Sequence, residues 1–195
     1  MGITLEMMML AKVWSKKNRT KRPAVFLDRD GTLIKHREVS SKMSHMQPLP
    51  GVPAALAKLQ KFGYLLIIVT NQPNIEKGVV SALQTIRLHR HLYQLLRAKG
   101  VRLDAVYVCP HRYPSTCTCR KPGQAMIKRA RKDFNIDMKK SWFIGDTGRD
   151  METGKRAGLR TIFVKTGEGS KDPHFKTKGQ YNAEDFSDAA AYVLK

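Results

Sequence analysis

Asp28 and Asp30 stand two residues apart, directly after Ala24-Val25-Phe26-Leu27, four apolar residues with nothing polar among them. Such a run predicts a short strand buried on both faces. If the backbone is still extended where the carboxylates begin, both project from the same side of the chain. Two like charges so placed repel, so one of them keeps a proton or a cation neutralises both. Mg2+ suits the second solution, because it favours a few carboxylates combined with phosphate oxygens of a substrate. Gly31 then lets the chain turn away through a conformation that other residues avoid. Taken alone, the pair is equally compatible with a solvated strand end carrying two turn-forming aspartates.

A second constellation lies at Cys109-Pro110-His111 and Cys117-Thr118-Cys119, four soft or borderline ligands within eleven residues. That set suits tetrahedral Zn2+, and four protein ligands leave no open position, so the ion would be structural. The one-residue spacings are tighter than in zinc fingers, but an extended segment directs i and i+2 to one side. The alternative is three buried thiols beside a surface histidine. An odd, tightly clustered cysteine set makes no disulfide framework and points to a reducing compartment. The other histidines, His36, His45, His89, His91 and His174, lack such company and read as surface or packing residues.

Apolar periodicity outlines the elements that must carry these groups. Val52, Ala55, Leu56 and Leu59 recur at helical spacing, with Pro53 in the first turn and Gly63 as the stop. Tyr64 to Val69 reads as a second buried strand, delivering Thr70-Asn71-Gln72 at its carboxyl end. A helix from about Ser81 to Lys99 follows, with Leu88, Leu92, Leu95 and Leu96 on its apolar side, and then a strand at Ala105 to Val108. Gln124 to Phe134 is helical again, Trp142-Phe143-Ile144 a strand ending in Gly145-Asp146, and Asp150 to Ala157 a short helix. Thr161 to Val164 is the last strand and Glu184 to Leu194 a closing helix. Residues 34–50 and 165–181 read as loops, and residues 1–22 as a basic, poorly ordered extension ahead of one domain, 23–195. Alternating strands and helices predict an α/β fold, a parallel sheet covered on both faces. In such sheets ligands bind at the carboxyl ends of the strands, where Asp28, Asp30, Thr70 and Asp146 all fall.

Asp-x-Asp-Gly-Thr-Leu at 28–33, Thr70, Arg120-Lys121-Pro122 directly after Cys119, and Gly-Asp-Thr-Gly-Arg-Asp at 145–150 together resemble the haloacid dehalogenase-like superfamily. The cysteine loop resembles its zinc-containing branch, subfamily IIIA, which includes heptose bisphosphate and histidinol phosphate phosphatases. The likeness spans about residues 24–166. It implies a Rossmann-like three-layer sandwich with a central parallel sheet, no large cap domain and a small zinc loop at 109–119. It also implies Mg2+-dependent hydrolysis of a phosphomonoester through an aspartyl-phosphate. In that scheme Asp28 is the nucleophile, and Asp30 the general acid and then base. The Thr70 hydroxyl and the adjacent backbone N–H groups at Asn71 and Gln72 hold phosphoryl oxygens, and Lys121, kept extended by Pro122, offsets their charge. Mg2+ falls to Asp28, Asp146 and the backbone carbonyl of Asp30, and zinc to Cys109, His111, Cys117 and Cys119. Asp150 is either the second acid of its motif or a helix cap. Arg120 is expected to grip a second phosphate or a polar substrate group.

The substrate expected is a sugar phosphate or bisphosphate such as D-glycero-D-manno-heptose 1,7-bisphosphate, with histidinol phosphate as the alternative. Pro73 after Thr-Asn-Gln, Thr147, and the lack of a His-Gly-Tyr segment in residues 34–50 depart from the heptose enzymes, whereas Val164-Lys165-Thr166-Gly167 agrees with them. The formal charge of +20 makes a polynucleotide 3′-phosphatase the rival reading, which the cysteine loop does not favour. With 195 residues, 42% of them hydrophobic, the chain suffices for one buried domain, expected to be a monomer. No apolar run approaches the roughly 20 residues of a membrane span. Met7-Met8-Met9-Leu10-Ala11 is short, with its basic residues after it, which argues against a secretory signal and predicts a cytoplasmic enzyme acting on a small phosphorylated metabolite.

Overall fold

The computed structural model describes residues 10–167 and 178–195. Its strands are β1 (Leu10–Val13), β2 (Ala24–Leu27), β3 (Leu65–Asn71), β4 (Ala105–Cys109), β5 (Trp142–Gly145), β6 (Arg160–Val164) and β7 (Tyr181–Ala183). Its helices are α1 (Val52–Lys61), α2 (Ala82–Ala98), α3 (Ala125–Asp133), α4 (Gly148–Arg156) and α5 (Phe186–Val193). Among the described residues the sheet order is β1-β4-β3-β2-β5-β6-β7, parallel except for β1, which runs antiparallel to β4.

Every residue of β2 is wholly buried, as an uninterrupted apolar run at the centre of a parallel sheet demands. One core lies between the sheet and α1, α2 and α5, built on Leu27, Leu56, Ile68, Leu92 and Phe186. A second, around Phe26, Val69, Met126, Ile127 and Phe143, fills the opposite face under α3. The chain moves outward from β2 through β3 to β4, then crosses back to β5 on the other side of β2. Strand order therefore reverses at β2, and the crevice that opens there is the ligand position of such sheets.

Two edge strands depart from the sequence expectation. The segment expected as a disordered basic extension contributes β1, with Ala11 opposite Tyr107 and Lys12 opposite Val106. It is anchored further on, where the Trp14 N–H donates to the Asp104 carbonyl at 2.8 Å and Arg22 donates through Nε and Nη2 to the Gly63 carbonyl. The loop expected over 165–181 ends in β7, of which Tyr181 pairs with Ile162. Both strands are of three or four residues, too short for a period to show. Residues 168–177 of that loop, with His174, lie outside the described residues, as do Met7 to Met9. No described helix is long and apolar enough to cross a membrane.

Candidate active site

Asp28 leaves the end of β2 with its N–H given to the Ile144 carbonyl of β5, so the sheet ladder itself fixes the first carboxylate. Its Oδ1 accepts from the Arg29 N–H at 2.7 Å and meets the Lys121 ammonium at 2.8 Å. Gly31 turns the chain at φ +79°, and a Cβ there would stand 2.4 Å from the Asp146 carboxylate. Gly167 closes in from the other side, where a Cβ would meet Asp146 Oδ2 at 1.8 Å. Two bare glycines thus make room for Asp146, which follows β5 and is 1% exposed.

Lys121, 4% exposed, lies between Asp28 and Asp150, 2.7 Å from Asp150 Oδ1. Lys121 and Pro122, joined by a cis bond, lie in a turn closed by the Gly123 N–H on the Arg120 carbonyl. Asn71 holds that turn: its Oδ1 accepts from the Lys121 N–H at 3.0 Å and its Nδ2 donates to the Lys121 carbonyl. Burial would strip the Lys121 proton, but the charges of Asp150 and Asp28 outweigh it and raise its pKa. Asp150 has the helix-cap geometry expected of it. It is the third residue of α4 in a capping box with Thr147, and it faces Lys121 from full burial.

Oxygens of Asp28, Asp146 and Asp150 lie within 4.8 Å of one another. One ammonium cannot balance three buried carboxylates, and their proton affinities register the excess. Burial, then the neighbouring Asp150, pushes Asp28 up to about 7 against the pull of Lys121. Burial and the charges of Asp28 and Asp150 raise Asp146 to about 8. This donor set of hard oxygens with surplus negative charge, in which Asp28 and Asp146 face a cavity, fits a divalent cation.

Asp30 is held differently. Its Oδ2 accepts from Arg29 and from Gln72 Nε2 at 2.8 Å, and its Oδ1 from the Ser40 hydroxyl at 3.1 Å. Burial alone would raise its pKa, yet the Arg29 charge and the three donors reverse that and lower it. Gln72 also donates to Thr70 Oγ1 at 2.9 Å and accepts from Arg29 Nη2 at 2.9 Å, so it braces the acid and Thr70 together. Arg29, 1% exposed, places Nη1 3.2 Å from His89 Nε2. His89 Nδ1 lies 2.9 Å from the Thr85 carbonyl. A guanidinium can only donate, so neutral His89 accepts at Nε2 and donates from Nδ1.

Arg29, Ser40 and His89 were not among the residues singled out from the sequence. His89 read as surface or packing, and packing is where it falls. Its spacing to Leu92 and Leu96 on α2 marks the buried face. Burial and the Arg29 charge depress its pKa from 6.5 to about 3. Between those values the unfolded chain binds a proton that the folded chain refuses, so stability is complete above pH 6.5 and falls as pH drops toward 3. His89→Gln should flatten this dependence. From pH 7 to pH 5 the wild-type chain should lose about 2 kcal/mol more than the variant. Parallel urea melts at the two pH values measure it, and equal losses would refute the neutral histidine.

Asp28, Asp30, Thr70, Lys121 and Asp146 converge on one cavity of about 190 Å³. Its wall also carries Asn71, Pro73 and three cationic or titratable groups at the rim, His36, Arg120 and Arg149. Arg120 is steadied by donation from Nη1 to the His111 carbonyl at 2.8 Å, and Arg149 lies over the Tyr113 ring at 5.9 Å. Burial, then Arg149, lowers the pKa of Arg120. Gln72 and Asp150 do not line the cavity; they act on residues that do.

Next to this rim, Cys109 at the end of β4 converges with His111, Cys117 and Cys119, their donor atoms within 4.8 Å of one another. The Sγ atoms of Cys109 and Cys117 are 3.8 Å apart, those of Cys117 and Cys119 3.6 Å, and those of Cys109 and Cys119 3.0 Å. His111 Nδ1 lies 3.2 Å from Cys119 Sγ. The Arg120 N–H points at Cys117 Sγ at 3.4 Å, so this cluster could hold a metal ion and sets the position of Arg120.

Comparison with known proteins agrees with this geometry. A profile of HAD-hydrolase-like proteins matches residues 118–189. The D-glycero-beta-D-manno-heptose-1,7-bisphosphate 7-phosphatase of Pasteurella multocida is 40% identical over 154 residues, covering 75% of this chain and 84% of that one. The D-glycero-alpha-D-manno-heptose-1,7-bisphosphate 7-phosphatase of Photorhabdus laumondii is 36% identical over 162 residues, 78% of this chain and 88% of that one. The D,D-heptose 1,7-bisphosphate phosphatase of B. bronchiseptica, solved with magnesium and phosphate, superposes with a TM-score of 0.80 at 26% identity, covering 88% of this chain and 98% of that one. A HAD-like phosphatase from Mesorhizobium loti gives a TM-score of 0.81 at 28% identity, over 98% of this chain and 93% of that one.

Proposed function

This chain belongs to the haloacid dehalogenase-like hydrolases and is a phosphatase, and we propose that it removes one phosphate from a sugar bisphosphate of the D-glycero-D-manno-heptose 1,7-bisphosphate kind. The observation that carries the substrate class is the cavity itself: the wall that bears Asp28 and Lys121 also bears Arg120 and Arg149. A phosphomonoester needs cationic charge at one phosphate; a bisphosphate needs it at two. The names of the relatives supply the particular sugar.

In the first half of the reaction an Asp28 oxygen attacks phosphorus, the bond from phosphorus to the leaving oxygen breaks, and Asp30 gives that oxygen a proton. In the second half Asp30 takes a proton from water, whose oxygen attacks phosphorus; the bond from phosphorus to the Asp28 oxygen breaks, releasing inorganic phosphate and restoring the Asp28 carboxylate. Resting Asp30 is held ionised by Arg29 and its donors, which suits the second half. The anionic phosphoryl group arriving beside it opposes Arg29 and raises its proton affinity for the first. Thr70 and Lys121 hold and neutralise the transferred oxygens. Mg2+, held by Asp28, Asp146 and the Asp30 carbonyl, would supply charge that offsets the phosphoryl group and lets the carboxylate approach it.

We assign zinc to Cys109, His111, Cys117 and Cys119. Tetrahedral zinc with bonds of about 2.3 Å to sulfur sets the sulfurs roughly 3.8 Å apart. Two of the three sulfur separations are near that value. Cys117→Ser should release one zinc per chain and lower Tm by roughly 5–10 °C, while kcat on an aryl phosphate changes little. Metal analysis of the purified wild-type protein that finds no zinc would refute the assignment. Arg120→Ala should lower kcat/KM for the bisphosphate roughly 10- to 100-fold, the worth of a charge-assisted hydrogen bond, and for a small aryl phosphate by about threefold or less. Equal losses would place Arg120 outside recognition of the second phosphate.

The test of the function is a Mg2+-dependent turnover screen that includes the heptose bisphosphate, histidinol phosphate and a 3′-phosphorylated oligonucleotide. The highest kcat/KM should fall on the bisphosphate. The oligonucleotide in that place would overturn the reading.

A further inference from the structure

A hollow larger than the catalytic one lies elsewhere in the described residues. A groove of about 490 Å³ runs between α2 and the edge of the sheet formed by β1 and β4. Its origin is topological. α2 covers β3 and β4, and β1 adds a further strand at the edge with no helix of its own. In the β1–β4 register Lys12 stands opposite Val106, so on the face that α2 covers a lysine occupies a position that elsewhere in this core is apolar. One wall is a stripe of α2 at helical spacing, Ile86, Arg90, Tyr93 and Arg97.

The chemistry of the lining is one-sided. Lys12, Arg90 and Arg97 contribute three cations, and no carboxylate lines the groove. All three are exposed and form no ion pair among the described residues. Trp14 and Tyr93 stack at 4.5 Å with their planes 4° apart, giving a flat aromatic side, and Val106 and Val108 an apolar floor. Buried at the inner end is His89, the residue that contacts Arg29 and through it Asp30.

We propose that this groove is a second binding site for a small organic anion with a flat apolar portion, and that its occupancy is felt at Asp30 through His89 and Arg29. The cations select the anionic group, whereas the aromatic pair and the valines select a ring over a simple inorganic ion. A ligand seated against His89 shifts the histidine that fixes one end of Arg29, and Arg29 sets the position of Asp30. The effect therefore falls on kcat more than on KM. The binding part does not depend on the sugar substrate, and the catalytic part is read on an aryl phosphate.

Anilinonaphthalene sulfonate, a fluorescent aromatic sulfonate, tests this on the full chain with Mg2+ present and the catalytic cavity blocked by vanadate. One sulfonate should bind per chain despite the vanadate. The double variant Arg90→Glu/Arg97→Glu should weaken it tenfold or more, and Arg131→Glu, on α3 across the sheet, should leave it unchanged. Sulfate at the same concentration should not compete. Without vanadate, saturating sulfonate should change kcat for the aryl phosphate at least twofold in the wild type and not in the double variant. The site is overturned by loss of binding under vanadate, by equal weakening in Arg131→Glu, or by undiminished binding in the double variant. Competition by oligonucleotides that strengthens with their length would mark a polyanion surface instead. Binding without any change in kcat would overturn the link to Asp30.

Discussion

Asp28→Asn should lower turnover of every phosphomonoester by roughly ten-thousand-fold or more, while the protein stays folded. An amide oxygen is a poor nucleophile, and no other carboxylate can take its place. Asp30 is tied to Arg29, Gln72 and Ser40, and Asp150 is engaged with Lys121 and its own helix start. The fold persists because the substitution removes one of three crowded carboxylates and leaves Lys121 its contact with Asp150. Steady-state kinetics beside a thermal melt measures both halves. Turnover within tenfold of wild type would remove Asp28 from the nucleophile's role.

Lys121→Met should be the most destabilising single change at the site, costing about 3–5 kcal/mol, the usual consequence of leaving buried charge without its partner. Lys121 is almost wholly enclosed and contacts two carboxylates, with Asp146 close behind. Its removal leaves three carboxylates and no cation from the protein. Millimolar Mg2+ should return part of the loss, and adding Asp150→Asn should return more, because each reduces the uncompensated charge. Urea unfolding of the single and double variants, with and without Mg2+, measures these terms. A loss under about 1 kcal/mol would mean that Lys121 does not balance the cluster. Turnover should vanish in both variants.

The five central strands and the five helices were legible because each carries a run or period long enough to exceed chance. Ala24 to Leu27 is uniformly apolar, and Leu88, Leu92 and Leu96 mark one face of α2. The edge strands were not, since Leu10 to Val13 contains a lysine and Tyr181 to Ala183 is three residues long. What fixes β1 is its pairing with β4, a partner 90-odd residues away that no local pattern reveals.

The same division runs through the site. Asp28, Asp30, Thr70, Lys121 and Asp146 could be placed because they follow strands and match a family's motifs, and they do meet at one cavity. The side-chain amides of Asn71 and Gln72 hold the Lys121 turn and Asp30, contacts that spacing in the sequence does not announce. An amide's partner depends on its rotamer, which residue type and spacing do not set. Arg29 lies between the two aspartates and would pass for a solvated charge, since nothing local reveals that His89, Gln72 and Asp30 enclose it. Arg149 reaches the rim only because α4 begins directly after Asp146.

Trapping the phosphorylated enzyme tests the account most directly. The wild-type chain is mixed with Mg2+ and substrate, quenched in acid within a turnover, reduced with tritiated borohydride, which replaces the phosphate with labelled hydride, and mapped by peptide mass spectrometry. The account predicts one labelled position, with residue 28 converted to homoserine. Label at another residue, or steady turnover with solvent oxygen transferred straight to phosphate and no labelled protein, would contradict it.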